Sequence, residues 1–194
     1  MQGLDNGMTG AEDRPQDAKR RHILDCAFDV VLRYGYQRMT MDDVAKASGM
    51  SRPALYLHFR NKAEIYRAIA SAMLDDGLAR ARAALAEPGN LKARLLAAIR
   101  AALLEPMDRL METPHGAELF DMKDELAGDI MSEWRERKTA LIARVLDAES
   151  PDKAGLNGTA RAKALLDGME GLKARARSSA ERLDGAIALV ALVV

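Results

Sequence analysis

Arg52, Tyr56 and Lys62 are the residues of this chain whose types and spacing best suit a chemical task. The task is recognition of a polyanion, not bond making. An arginine at the start of a short helix offers a fork that fits a guanine edge or bridges phosphate oxygens. A tyrosine four residues on lies one helical turn away and can donate to a phosphate. A lysine in the first turn of the next helix opposes the helix dipole, unless a phosphate meets both its ammonium and the free backbone amides. Pro53 and Ala54 are small and apolar, suited to a thymine methyl. His58 fits either a phosphate donor or a satisfied half-buried histidine. Lys19, Arg20 and Arg21 fit backbone tracking, minor-groove entry or, more commonly, a solvated charge run.

Two short helices must hold these groups. Thr40 is a good N-cap, with Asp43 three residues on in a near capping box, and its hydroxyl can also reach a phosphate. Val44, Ala45 and Ala47 give the first helix a small apolar face. Gly49 suits a left-handed turn position. Ser51 caps the second helix and Pro53 falls in its first turn, where proline is tolerated. Leu55 and Phe59, four apart, share the inward face with Met50 beside them. This is the helix-turn-helix plan, whose second helix lies in the DNA major groove. The candidate DNA-contacting set is Thr40, Ser51, Arg52, Pro53, Ala54, Tyr56, His58 and Lys62.

In register and without gaps, Gly35-Tyr36, Thr40-Met41, Val44-Ala45, Gly49, Ser51-Arg52, Leu55-Tyr56, His58-Phe59, Lys62 and Ile65 resemble the signature of the TetR family of bacterial transcriptional regulators. Ser48 is the least typical position, where that family more often has alanine. The resemblance covers the first third of the chain. It implies backbone contacts from Tyr56 and Lys62, and a larger helical domain whose last two helices pair across a homodimer. It also implies a small-molecule inducer that releases the protein from a palindromic operator in double-stranded DNA.

The chain has 194 residues, 48% hydrophobic and 4% aromatic, which favours helix over sheet. Net charge is formally zero, yet residues 19–67 hold ten Lys and Arg against five Asp and Glu, a net of +5. The remainder from Ala68 carries 18 against 20. The basic excess sits where phosphate neutralisation would need it. One cysteine, Cys26, excludes an internal disulfide, and its apolar helical setting suggests a buried, inert thiol. Residues 1–13 show no apolar signal-peptide core, and the apolar run at 186–194 is too short to span a bilayer. A cytoplasmic protein with no membrane partner is expected.

The pattern divides the chain into a disordered tail (1–14), a helix-turn-helix unit (15–60) and a helical effector-binding and dimerisation unit (61–194), all-α, with about nine helices. The first helix, from Pro15 to Tyr34, has a buried stripe of Ile23, Ala27, Val30, Val31 and Tyr34. Pro106 breaks or kinks the helix begun at Leu91, and one long helix spans 116–148. The final helix carries Leu183, Ile187, Val190 and Val194 and ends in an apolar run that would be unfavourable in water, which favours a dimer. Candidate ligand-lining residues are Leu103, Met107, Leu110, Met111, Phe120, Met131 and Trp134. For any single one of them, plain core is the more common role. The acids Glu105, Asp108, Glu112, Glu118 and Asp121 read as a solvated face, and His115 with Glu118 lacks the further ligands a metal needs. No cofactor is implied. The histidines His22, His58 and His115 are scattered and no nucleophile, phosphate-loop or dinucleotide motif is present, so catalysis is not expected. An activator, a protein-responsive regulator and a helical scaffold that does not bind DNA are the alternatives.

Overall fold

The computed structural model describes residues 15–121, 123–151 and 155–194, with side chains described at 16–119, 126–151 and 155–194. The expected disordered tail lies outside the described residues. Those described form only helices: α1 (Pro15–Tyr34), α2 (Met41–Ala47), α3 (Arg52–Tyr56), α4 (Lys62–Ala86), α5 (Leu91–Ile99), a π-helical stretch (Arg100–Leu104), α6 (Glu105–Met111), α7 (Gly116–Asp121), α8 (Lys123–Glu149), α9 (Gly158–Arg175) and α10 (Ser179–Val193). The all-α expectation holds.

Two apolar cores form, and α4 serves both. Ile23, Ala27, Val31, Val44, Leu55 and Phe59 close a core from α1 to α3 that includes Ile65, Tyr66 and Ile69 from the start of α4. Ala81 and Leu85, at the other end of α4, join Leu95, Trp134, Leu146, Leu165 and Val190 in the second. There α9 and α10 approach closely because each offers the other a glycine. A Cβ at Gly168 would lie 2.7 Å from Leu189, and one at Gly185 would overlap Leu172. Arg161 is buried, with only 2% exposed, between the C-terminal ends of α8 and α10. Its guanidinium donates to the carbonyls of Leu146 and Val193, both at 3.2 Å. These carbonyls carry the negative ends of two helix dipoles, which offset the cost of burying the charge.

Several positions differ from the sequence reading. Tyr34 is exposed, because α1 ends there and the chain turns; Tyr36 is buried instead. Ala47 is exposed and Ser48 takes the inward position, its hydroxyl donating to the Val44 carbonyl at 2.8 Å. Cys26 is half-buried rather than enclosed, and desolvation followed by Asp29 and Asp25 pushes its thiol pKa up. Pro106 does not break its helix. It lacks an N–H, and its ring crowds the carbonyl four residues back. The π-helical stretch at Arg100–Leu104 widens the spiral at that point, so helical structure continues from Leu91 to Met111.

Of the expected long helix over 116–148, α7 and α8 are the described parts, and α8 bends at Ala127, with φ −141° and ψ 25°. Arg67 of α4 accommodates the bend. Its Nη1 donates to the Leu126 carbonyl at 2.8 Å, and its fork takes both Asp129 oxygens at 2.7 and 2.6 Å. The Arg67 hydrogen bond chiefly lowers the Asp129 carboxyl pKa from 3.8 to about 2. A carboxylate with a depressed pKa stabilises the fold above its unfolded value and loses that contribution as pH falls through the folded one. Asp129→Asn should therefore lower the thermal midpoint at neutral pH, modestly because the pair is exposed. The gap to the parent protein should close as pH falls from 3.8 to about 2. Thermal unfolding across that range checks it; a gap unchanged at the acid end would exclude the charge as its source.

Candidate nucleic-acid interface and helical cavity

Thr40 and Asp43 form the complete capping box at the start of α2. The Thr40 hydroxyl donates to Asp43 at 2.6 Å, while the Asp43 amide donates back to it at 3.2 Å. The hydroxyl bond, and the Thr40 amide that donates to the same carboxylate at 2.9 Å, lower the Asp43 pKa, keeping its carboxylate charged. They also commit the Thr40 hydroxyl proton to the cap. The turn after α2 is a Schellman motif: Met50 N–H donates to Ala45 O at 2.8 Å and Gly49 N–H to Lys46 O at 3.2 Å. Gly49 has φ +65°, a value side chains resist, which is why glycine stands there. The Ser51 hydroxyl then caps α3 through the Ala54 amide at 3.3 Å. Leu55 and Phe59 are 0% and 1% exposed, so they pin α3 to α1 and α4 and fix which face looks outward.

That outward face carries Ser51, Arg52, Pro53, Tyr56 and Leu57, all exposed, with Ala54 and His58 half-buried. Arg52 Nη2 lies 3.5 Å from the Tyr56 hydroxyl, so fork and phenol present together. Leu57 is 86% exposed beside them, a position the sequence reading passed over because leucine at that spacing suggests core.

Two basic residues face inward. Lys62 Nζ donates to the carbonyls of Tyr36, Gln37 and Met39 at 3.0, 3.1 and 3.3 Å. It also sits 4.7 Å from the Tyr36 ring centre. All three ammonium hydrogens thus have protein acceptors, and the side chain staples the turn that precedes Thr40. Arg20 stacks on the Phe59 ring at 4.1 Å and donates to the His58 carbonyl at 2.9 Å. It thereby steadies the end of the α3 segment.

Between α1, α4, the π-helical stretch, α6 and α8 lies a cavity of about 440 Å³. Leu103, Met107, Leu110, Met131 and Trp134 line it, and so do Phe28, Tyr66 and Leu119, which the sequence reading missed. The first two of those missed sit in helices assigned to other jobs; only packing brings them here. Met111 corrects the reading: it points outward, 46% exposed, and is not among the lining residues. The Phe120 side chain lies outside those described.

The family described as bacterial regulatory proteins, tetR family, matches residues 23–69, the span of the helix-turn-helix and the start of α4. The chain belongs to the TetR family. Among its relatives is the HTH-type transcriptional activator FasR of Mycolicibacterium smegmatis, 36% identical over 45% of this chain and 40% of that protein. Another is the HTH-type transcriptional regulator RutR of Escherichia coli O157:H7, 30% identical over 70% of this chain and 65% of that protein. The chain thus spans less than two thirds of the length of these curated relatives. The TetR fold extends further than this sequence likeness. A solved structure of a TetR-family transcriptional regulator from Mesorhizobium loti superposes with TM-score 0.70 over 92% of this chain and 96% of that one, at 19% identity.

Lys62→Ala should lower the thermal midpoint, because the half-buried Tyr36 and Met39 carbonyls lose their donor, at about 1 kcal/mol per lost hydrogen bond. Arg52→Ala, on the open face, should leave the midpoint nearly unchanged. Parallel melting curves compare them; equal midpoints would contradict the staple.

Proposed function

We propose that this chain is a sequence-specific DNA-binding transcriptional regulator, a repressor released from a palindromic operator by a small molecule. The observation that carries this reading is the doubly capped α2–turn–α3 unit with Arg52 and Tyr56 exposed together. In the groove, Arg52 reads a base edge or bridges phosphates. Tyr56 holds the backbone, and Pro53, Ala54 and the exposed Leu57 offer apolar contact to thymine methyls. Ser51, whose hydroxyl only accepts in its cap, and the half-buried His58 are further donors for phosphate on this face, whereas the Thr40 hydroxyl proton is held by Asp43. Lys62 contributes chiefly through the turn it staples. Residues 15–60 are the DNA-binding unit and 61–194 the effector and dimerisation unit. The protein is a cytoplasmic regulator and not an enzyme; among the described residues no helix is long and apolar enough to cross a membrane. Activation is the second reading, favoured by the relative FasR, an activator by name.

Dimerisation is supported by α10. Ile187, Ala188, Ala191 and Leu192 form an exposed apolar stripe on it, with Leu192 73% exposed. A copy of the same stripe would cover it and set two recognition helices for two half-sites. Sedimentation at micromolar concentration should give a dimer without DNA, and Leu192→Glu with Ile187→Glu should give a monomer.

The cavity supports a neutral, apolar inducer. Its buried donors are already satisfied: Trp134 Nε1 donates to the Leu74 carbonyl at 2.9 Å and the Tyr66 hydroxyl to the Leu119 carbonyl at 2.6 Å. At the mouth Arg80 pairs with Asp76, and Lys173 with Glu170 at 2.9 Å, while Arg109 is exposed to solvent. A ligand with its own charge would have to break those pairs or remain at the rim. Trp134, the sole tryptophan, reports occupancy by fluorescence. N-phenylnaphthylamine should bind at least about tenfold more tightly than its sulfonated analogue, anilinonaphthalene sulfonate, since each factor of ten is about 1.4 kcal/mol and burying a charge costs more. Equal affinities would overturn the neutral class.

The DNA reading is tested by selecting bound fragments from random and genomic DNA. A two-half-site palindrome is expected. On that operator, Tyr56→Phe should weaken binding to every sequence with the salt slope nearly unchanged, because a phenol neutralises no phosphate, whereas Arg52→Ala should relax base preference and flatten the slope by about one unit if it loses one phosphate contact. A protein that enriches no sequence at low salt would overturn the reading.

A further inference from the structure

The cavity and the DNA-facing unit meet at one short helix. In α7, Leu119 lines the cavity wall and its carbonyl receives the Tyr66 hydroxyl. The residue before it, Glu118, faces the other way. Glu118 Oε1 accepts the Gln37 amide at 3.0 Å, across 81 residues of sequence. Glu118 Oε2 lies 3.5 Å from His115 Nδ1, which orients the carboxylate. Gly35, with φ +81°, makes room: a Cβ there would overlap Glu118 Oε2 and come within 3.0 Å of His115 Nδ1. Gln37 belongs to the turn whose carbonyls hold Lys62, and that turn leads directly into the Thr40 cap of α2.

We infer that Glu118 is the positioning residue through which occupancy of the cavity is communicated to the helix-turn-helix. This rests on the inducer reading above. A ligand that displaces Leu119 must move Glu118, because the two are consecutive in one helical turn. Moving Glu118 breaks the Gln37 bond and shifts the 35–39 turn against its Lys62 staple, and that turn sets the approach of α2 and hence of α3. The path is short and made of groups with two arrangements, bonded and released, as a coupling element must be. Tyr66 adds a second contact on the same route, its ring set edge-on to the buried Tyr36 at 5.4 Å.

The test uses the full-length protein, an operator fragment selected as above, and N-phenylnaphthylamine as the probe. Operator affinity is measured with and without saturating probe, and probe affinity is read directly from Trp134 fluorescence. The parent protein should bind the operator about tenfold more weakly when saturated, with the same factor appearing when probe is titrated into the operator complex. Glu118→Ala should bind probe as before, but its factor should fall towards one. Glu118→Gln keeps a carbonyl acceptor for the Gln37 amide and should restore most of the factor. Hydrogen exchange at Gln37 should quicken on probe binding in the parent and be fast throughout in Glu118→Ala. A merely structural role would weaken operator binding equally with and without probe, leaving the factor at the parent value; that result overturns the inference. A parent protein that binds probe with no change in operator affinity would overturn the inducer reading, and this role with it.

Discussion

One ammonium group meets three carbonyl oxygens at the turn between α1 and α2. Where α1 ends, Gly35 turns the chain and the carbonyls of Tyr36, Gln37 and Met39 fall outside any helix. Such acceptors need partners when water is excluded. Lys62, at the start of α4, supplies all three hydrogen bonds from one side chain. The turn, the Thr40 cap, the Gly49 turn and the exposed face of α3 follow in order, so the direction in which Arg52 and Tyr56 point depends on that staple.

The same constraint alters the electrostatic account. Of the ten basic residues between Lys19 and Arg67, Arg20, Lys62 and Arg67 are engaged by other groups of the protein, on Phe59 and His58, on the turn, and on Leu126 and Asp129. Formal charge still favours DNA at this end, since long-range attraction depends on the total. On the proposed DNA-binding reading, close contact falls to fewer groups, among them Arg52 on the exposed face of α3. Binding strength and sequence preference therefore have partly separate sources within one small unit.

The part of the chain from α4 onward follows a different logic. The cavity-wall donors Trp134 Nε1 and the Tyr66 hydroxyl are satisfied by backbone carbonyls, so the cavity between them is left with an apolar wall. The π-helical stretch serves that wall twice. It absorbs Pro106 without ending the helix, and it places Ala102 and Leu103 at the cavity surface. Because α4 carries residues of both cores, and α7 touches both the cavity and the Gly35–Met39 turn, neither half is mechanically isolated from the other.

The sequence by itself determined the helices, most of their ends and the outward face of α3. Caps such as Thr40, Ser51 and Asn61, the left-handed Gly49, and the spacing of Leu55 and Phe59 all act within about four residues, so a local pattern suffices to read them. The family was legible for the same reason, because its signature is a string of those local features. Only the tertiary structure decided where Lys62 and Arg20 direct their charge, since their acceptors lie 23 to 38 residues away. It alone turned Tyr34 and Met111 outward, added Phe28, Tyr66 and Leu119 to the cavity, and brought Glu118 onto Gln37. Those outcomes depend on which faces of distant helices meet, and a periodic apolar pattern fixes that a face is buried without fixing against what.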